Sequence, residues 1–128
     1  MAPELVDDST IAPSMASDVY SWALTSYEIL STCLPYHDRA NAPLVNFGAL
    51  RTAMQVVAGT LRPDLSLVRE DCPPALVSLV RRAWDSDPRK RPAMAAVVRE
   101  VAAMADEAAR CGDGGGGGGG ALPGQVDN

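Results

Sequence analysis

The sequence predicts a mainly α-helical fold, and three observations support this prediction. Apolar residues recur at intervals of three and four in several stretches, which is the spacing of one face of a helix. Hydrophobic residues make up 47% of the chain but aromatic residues only 5%, so Ala, Val and Leu supply most of the apolar content. No stretch is a convincing strand. We therefore expect about four main helices plus a short N-terminal turn.

The first two helical elements are predicted before residue 32. Pro3 suits the first position of a short helical turn. Residues 17–30 carry apolar side chains on every side of a helical wheel, which is typical of a helix in the protein interior. Ser17 is the expected N-cap, and Asp18 lies at the positive end of the helix dipole. Because a buried carboxylate needs a partner, we expect this end of the helix to bind a polar group.

Three more helices are predicted, each with an apolar stripe. The first spans residues 44–57, and Gly59 is its expected C-terminal cap. Pro73 and Pro74 open the next helix, and Pro92 starts the last, which should fade near residue 110. The three stripes consist of Leu44, Phe47, Leu50, Met54 and Val57; Leu76, Leu79, Val80, Ala83 and Trp84; and Met94, Val97, Val98, Val101 and Ala105.

The last part of the chain is a glycine-rich tail. Seven consecutive glycines occupy residues 114–120, and nothing around them offsets the entropy of ordering glycine. We expect one domain over residues 1–110 and a disordered tail over residues 111–128.

Charge and cysteine content exclude several classes of protein. The net charge of −5 argues against a nucleic-acid binder. A cluster of basic residues keeps a small helical nucleic-acid binder as a minor alternative, although acidic residues are interleaved with it. Three widely spaced cysteines and one histidine suggest neither a zinc site nor a disulfide framework. With no secretory signal or membrane segment, we expect an intracellular, cytoplasmic location. The basic cluster is Arg81, Arg82, Arg89, Lys90 and Arg91, and the interleaved acids are Asp85 and Asp87.

Four motifs, taken together and in order, resemble the C-terminal part of a protein kinase domain. Ala2-Pro3-Glu4 looks like the motif that closes the kinase activation segment, and residues 17–21 (Ser-Asp-Val-Tyr-Ser) look like the start of the central F helix. Residues 57–63 resemble the Gly-x-Arg-Pro segment, and residues 83–92 match Cys-Trp-x-x-Asp-Pro-x-x-Arg-Pro nearly in full. The residues Tyr20-Ser21 and Leu61-Arg62-Pro63 are most similar to those of the tyrosine-kinase-like group, which is mostly specific for serine and threonine. The implied fold is the helical C-terminal subdomain of a kinase.

The resemblance implies structural roles for four residues. Glu4 would pair with Arg91, and a bidentate Arg–carboxylate pair is specific enough in its geometry to hold two distant segments together. The alternative is that Arg91 belongs to a solvated run of charges. Asp18 would accept hydrogen bonds from the backbone of the catalytic loop, or would simply be a helix-start aspartate. Trp84 would pack near the Glu4–Arg91 pair as part of the core.

The chain lacks the parts that carry kinase chemistry. Phosphoryl transfer needs a Gly-rich loop, a strand lysine, a catalytic Asp and Asn, and a metal-binding Asp. Lys90 is the single lysine, and neither His-Arg-Asp nor Asp-Phe-Gly occurs. We therefore expect no catalytic, cofactor or metal residue in this chain, which alone would be inactive, whereas ATP and Mg²⁺ would bind the full-length parent. Because Met1 stands where family members often carry a methionine, we expect a fragment of a longer protein.

Two readings of the function follow from the resemblance. In the first, the chain is the C-terminal fragment of a kinase that phosphorylates Ser or Thr, or alternatively Tyr, and it supplies scaffold and a substrate-side platform. In the second, it is a kinase-derived binding or scaffold module without chemistry. The expected partner is a protein substrate or a docking protein. The expected docking surface consists of Leu44, Phe47, Leu50 and Met54.

Overall fold

The structure is a computed structural model that describes residues 1–8, 10–36 and 49–112. These residues form five α-helices and two short 3-10 turns, and no strand occurs among them. The prediction of a mainly helical fold is confirmed. The helices are α1 (Pro3–Asp7), α2 (Met15–Ser31), α3 (Ala49–Val57), α4 (Pro74–Ala83) and α5 (Met94–Gly112), and the 3-10 turns are Leu65–Leu67 and Pro88–Lys90.

Helix α2 starts three residues earlier than its sequence predicts. Ser14, not Ser17, is the N-cap: its hydroxyl accepts a hydrogen bond from the Ser17 N–H at 3.3 Å. The Ser17 hydroxyl in turn accepts from the Ser14 N–H at 2.9 Å, so the two serines form a reciprocal capping box. The prediction of Ser17 as the N-cap was wrong because either serine could occupy that position. The box adds a first turn that contains Met15 and Ala16.

Helix α2 is buried along one side only. Tyr20, Ala23 and Tyr27 have no exposed surface, whereas Ile29 is 68% exposed. The prediction of burial on all sides was therefore wrong in this structure. Its buried side packs against α4, α5 and both 3-10 turns. The core around it consists of Ala2, Val19, Tyr20, Ala23, Tyr27, Val56, Leu61, Leu79, Val80, Ala83, Trp84 and Val97.

Helix α3 ends at Val57 and packs against α1, and Gly59 caps its C-terminal end, as the sequence predicts. Gly59 has a φ of +73°, and its N–H donates to the Val56 carbonyl at 3.1 Å. The Thr60 N–H donates to the Gln55 carbonyl at 3.0 Å, which completes a Schellman motif. The predicted first turn of this helix, residues 44–48, lies outside the described residues.

Helices α4 and α5 form the rest of the domain. Pro74 occupies the first turn of α4, and Leu79, Val80 and Ala83 are buried. Helix α5 starts at Met94 rather than at the predicted Pro92, because the Ala93 carbonyl is the first to accept from the helix. The helix continues to Gly112, so it includes the first two residues of the segment 111–128 that was predicted to be a disordered tail. The rest of that segment lies outside the described residues.

Candidate functional site

Arg91 and Glu4 form a bidentate ion pair across 87 positions of sequence. Arg91 Nη1 donates to Glu4 Oε1 and Arg91 Nη2 donates to Glu4 Oε2, both at 2.8 Å. The Arg91 side chain is 0% exposed and the Glu4 side chain is 14% exposed. The pair therefore connects α1 to the segment that precedes α5.

The Arg91 guanidinium is fully shielded from water, and its other N–H groups donate hydrogen bonds to backbone carbonyls. Its Nε donates to the Asp85 carbonyl at 2.8 Å, and its Nη1 also donates to the Ala16 carbonyl at 2.9 Å. The guanidinium carbon lies 4.9 Å from the centre of the Tyr20 ring, within the range of a cation–π interaction. One side chain thus joins α1, the first turn of α2 and the turn that follows α4.

The ion pair changes the acidity of Glu4. The hydrogen bonds from Arg91 hold the pKa of the Glu4 carboxyl below its usual value of 4.5, and partial burial opposes this shift. The carboxylate is therefore the form that the folded state favours.

Arg62 is a second arginine beside the Tyr20 ring, and it was not predicted as a site residue. Its Nε donates to the Trp84 carbonyl at 3.2 Å, and its Nη1 donates to the carbonyls of Val56 at 3.0 Å and Leu61 at 2.6 Å. Its guanidinium carbon lies 5.9 Å from the centre of the Tyr20 ring. The available signal was its position in residues 59–63 (Gly-Thr-Leu-Arg-Pro), the segment that resembles the kinase Gly-x-Arg-Pro segment, three residues after the cap glycine of α3.

Tyr20 brings the two arginines together and also forms a polar contact. Its hydroxyl lies 2.9 Å from the Tyr36 hydroxyl, at hydrogen-bond distance. Burial is the main cause that raises the pKa of Tyr36, and the neighbouring Tyr20 adds to it. The Tyr36 phenol is therefore neutral at physiological pH.

Trp84 is buried, and its ring packs on Tyr27. The two ring centres are 6.0 Å apart with an interplanar angle of 58°, a tilted aromatic pair. Through its backbone carbonyl Trp84 also accepts from Arg62. Trp84 thus packs on the middle of α2, and Arg62 connects its backbone carbonyl to the Tyr20 ring.

Asp18 lies in the first turn of α2, and its side chain is exposed. A carboxylate at this position interacts favourably with the helix dipole. The expectation that Asp18 is buried is wrong in this structure, because the segments described here leave that face of α2 open. Its carboxylate is accessible to a hydrogen-bond donor.

Asp85 and Asp87 carry out local structural roles. Asp85 Oδ1 accepts from the Asp87 N–H at 2.9 Å, and Asp87 Oδ1 accepts from the Arg89 N–H at 3.0 Å. The side-chain hydrogen bonds from Arg89, followed by this backbone bond, lower the pKa of Asp87 to about 2. Within residues 1–8, 10–36 and 49–112, no group of three or more His, Cys, Asp or Glu residues is placed to hold a metal ion.

The predicted docking surface is described only in part. Leu44 and Phe47 lie outside the described residues, and Leu50 lies in α3 with its side chain outside the description. Met54 is 64% exposed and lines a groove of about 320 Å³ between α1 and α3. The other residues of this groove are Val6, Asp7, Ala53, Val57 and Ala58.

The helical fold and the Glu4–Arg91 pair define the class of protein. Residues 1–101 match the family described as "Protein tyrosine and serine/threonine kinase", and the chain belongs to this family. Of the helices described, none combines the length and apolar character needed to cross a bilayer.

Several curated proteins are similar to this chain. A "Protein kinase and PP2C-like domain-containing protein" of Oryza sativa subsp. japonica is 36% identical over 107 residues, which cover 79% of this chain and 16% of the relative. The "Raf homolog serine/threonine-protein kinase" of Caenorhabditis elegans is 36% identical over 79% of the chain and 12% of its own length. The human "Receptor-interacting serine/threonine-protein kinase 1" is 30% identical over 72% of the chain and 12% of its own length. The chain thus spans about a sixth or less of these relatives.

Proposed function

We propose that this chain is the C-terminal part of a protein kinase domain. The complete protein would transfer the γ-phosphoryl group of ATP, in the presence of Mg²⁺, to Ser or Thr hydroxyls of a protein substrate, with Tyr as the alternative acceptor. The observation that carries this proposal is the Glu4–Arg91 pair, which ties the Ala-Pro-Glu motif to the Arg-Pro motif at 2.8 Å. The two similar proteins named as serine/threonine kinases support Ser and Thr as acceptors.

This segment would supply scaffold and a substrate-side platform. The sequence offers neither a Gly-rich loop that opens a helix nor a strand lysine, and Lys90 ends the 3-10 turn Pro88–Lys90. We therefore assign no ATP or Mg²⁺ site to these residues and route no chemical step through them. Their contribution is the exposed carboxylate of Asp18, which is free to accept hydrogen bonds from a catalytic loop supplied by the parent.

The test compares this chain with a protein extended by its upstream coding sequence. Both are assayed for ATP binding and for transfer of labelled phosphate to casein. We expect activity only in the extended protein, and we expect Asp18→Asn to reduce its transfer rate. Asp106→Asn is the matched control, since Asp106 is an exposed aspartate of α5 outside the groove between α1 and α3. An upstream sequence without His-Arg-Asp and Asp-Phe-Gly, or an in-frame stop codon close to Met1, would overturn the proposal.

The groove between α1 and α3 favours a second candidate, a non-catalytic kinase-derived binding module. Exposed Met54 gives this groove an apolar rim next to the Asp7 carboxylate. A docking protein identified for the extended chain should lose affinity on Met54→Asp and keep it on Met15→Asp, because Met15 is 81% exposed at the start of α2. Binding without any phosphate transfer would favour this candidate over the first.

We also propose an intracellular, cytoplasmic location. Its support is that Cys33, Cys72 and Cys111 are all unpaired, as is usual in a reducing compartment. Fractionation of cells that express the tagged chain tests this location.

A further inference from the structure

Arg62 is a partly buried cation that pairs with no carboxylate among the residues that the structure describes. Three backbone carbonyls accept hydrogen bonds from it. Its one side-chain hydrogen-bond partner in that part of the chain is the Ser86 hydroxyl, which lies 2.5 Å from Arg62 Nη2. Because burial weakens the hydration of a charge, a cation in this position favours an anionic partner. An anion attached to Ser86 would therefore meet a guanidinium that is already in place.

Ser86 is an exposed residue in the turn that follows α4. The Asp87 N–H donates to Asp85 Oδ1 at 2.9 Å, and this hydrogen bond closes the turn around Ser86. The hydroxyl also lies beside the cap glycine of α3, since a Cβ on Gly59 would be 2.9 Å from Ser86 Oγ. The turn thus fixes the hydroxyl between the end of α3 and the end of α4.

The contact with Arg62, and not exposure by itself, distinguishes Ser86 from other exposed hydroxyl residues. Ser66 is also exposed, but its N–H donates to Asp64 Oδ1 at 2.9 Å, so a carboxylate is its neighbour. The contacts given above for Ser86 all lie within residues 59–87, so they do not require any segment beyond this chain.

A phosphoryl group on Ser86 would supply the counter-charge that Arg62 lacks. Such a group carries about −1.5 to −2 charges at pH 7 and three strong acceptor oxygens. Bonded to Oγ, it would place these oxygens beside Arg62 Nη2, which already donates to Oγ. Hydrogen bonds between a guanidinium and a phosphate are charge-assisted and are roughly twice as strong as those between neutral groups.

Two carboxylates beside Ser86 oppose a phosphate, but both already accept hydrogen bonds. Arg89 Nε and Nη2 each donate to Asp87 at 3.0 Å, so the charge of Asp87 is paired. Asp85 accepts from the backbone through Oδ1. Arg62 has no carboxylate to give up, so it is the cation that is left to pair with a phosphate.

We propose that Ser86 is a phosphorylation site and that Arg62 binds the phosphate, which would tie the end of α3 to the turn after α4. In the reaction, Ser86 Oγ forms a bond to the γ-phosphorus of ATP held by a serine/threonine protein kinase. The bond from that phosphorus to the oxygen that bridges to the β-phosphate breaks, ADP leaves, and the hydroxyl proton passes to a base of that kinase. The inference does not depend on the proposed function, because the phosphorylating kinase is a separate protein.

Peptide mapping tests whether Ser86 is modified. The tagged 128-residue chain is expressed in cultured plant and human cells, the two sources of similar kinases, and is denatured before digestion. Trypsin cleavage after Arg82 and Arg89 releases residues 83–89, in which Ser86 is the only hydroxyl residue. We expect one phosphate on this peptide, and none on it in Ser86→Ala. Ser66→Ala is the control and should leave the peptide phosphorylated. Absence of phosphate from this peptide in both kinds of cell would overturn the proposal.

The role of Arg62 is tested with phosphoserine incorporated at position 86 during translation. In urea unfolding at a fixed concentration of the stabilising osmolyte TMAO, the phosphate should raise the midpoint by about 0.5–1.5 M. In Arg62→Gln the same phosphate should give no rise. Phosphoserine at position 66, beside Asp64, is the matched control and should not raise the midpoint.

A second measurement needs no Arg62 variant. Phosphorus NMR should give a second pKa of the phosphate on Ser86 below the usual value of about 6 in the folded chain, with a return to that value in urea, because the guanidinium favours the doubly charged form. An unshifted pKa, or an unchanged midpoint, would overturn the assignment of Arg62 as the phosphate partner. An equal rise in midpoint for phosphoserine at positions 66 and 86 would also overturn it, because added charge alone would then explain the effect.

Discussion

Substitution of Glu4 by Gln tests the ion pair on which the kinase assignment rests. The change removes the negative charge beside the Arg91 side chain, which is 0% exposed, while it keeps the shape of the side chain. Arg91 would then keep the carbonyls of Ala16 and Asp85 but lose its counter-charge. Breaking a buried pair by removing one partner costs ~3–5 kcal/mol. Because Glu4 is 14% exposed and Gln still accepts one hydrogen bond, we expect the lower end, about 3 kcal/mol.

That loss is large for a domain of this size. Domains are typically stable by ~5–15 kcal/mol, so the variant would lose a fifth or more of its free energy of unfolding. The melting temperature should fall by roughly 12–24 °C, at about 4–8 °C per kcal/mol. Because the isolated domain is expected to be marginally stable, urea unfolding is measured in a fixed concentration of the stabilising osmolyte TMAO, and circular dichroism at the helix band follows the change.

The matched control is Glu100→Gln. Glu100 pairs with Arg82 at 2.6 Å, but these side chains are 39% and 49% exposed. An exposed pair contributes only about 0–1 kcal/mol. If Glu4→Gln and Glu100→Gln destabilise the domain equally, the reasoning about the buried pair is refuted.

The other predictions concern pH, the helix caps and the isolated domain. Arg91 lowers the pKa of Glu4 in the folded state, so the ionised Glu4 stabilises the fold fully above pH 4.5, and this stabilisation is lost as the pH falls through the lower folded-state pKa. The difference in free energy of unfolding between the native chain and Glu4→Gln should therefore become smaller on acidification. A difference that stays constant with pH would contradict this. Gly59→Ala should lower the free energy of unfolding by about 1–2 kcal/mol, because φ at this residue is +73° and the new Cβ would lie 2.9 Å from Ser86 Oγ. Unchanged stability in urea unfolding would show that the substitution causes no strain. Ser14→Ala should cost about 1 kcal/mol by removing the cap of α2, and Thr10→Ala, outside the helix, is its control. Residues 1–110 alone should be marginally stable or prone to aggregation, and a cooperative melt well above room temperature would contradict this.

The order and type of the helices could be predicted from the sequence because periodic apolar stripes are strong signals. Helix α4 follows its stripe: Leu79, Val80 and Ala83 are buried. Helix boundaries were less certain, because several residue types compete for the same position. Both Ser14 and Ser17 could cap α2, and only the folded backbone decides between them. Pro92 could open α5, but the first turn begins at Met94.

Of the contacts in the candidate site, the sequence predicted only the Glu4–Arg91 pair, because both residues belong to motifs of a known family. Neither Glu4 nor Arg91 shows its partner in its local sequence, and the pairing came from the resemblance to kinases. The contacts of Arg62 are mostly with backbone carbonyls, whose positions depend on the fold and not on residue type. Burial of Ile29 was predicted wrongly, because an apolar helix wheel does not tell which neighbours are present.

The separation of Glu4 and Arg91 affects how this domain is made by the ribosome. At ~5–20 residues per second, Arg91 is synthesised about 4–17 s after Glu4. Until then α1, which has five residues and packs on α3, has no charged anchor at its start. The chain must also close a loop of 87 positions, at an entropic cost of about 4 kcal/mol. Helix α1 therefore cannot reach its final position until residue 91 has been synthesised, long after α1 itself.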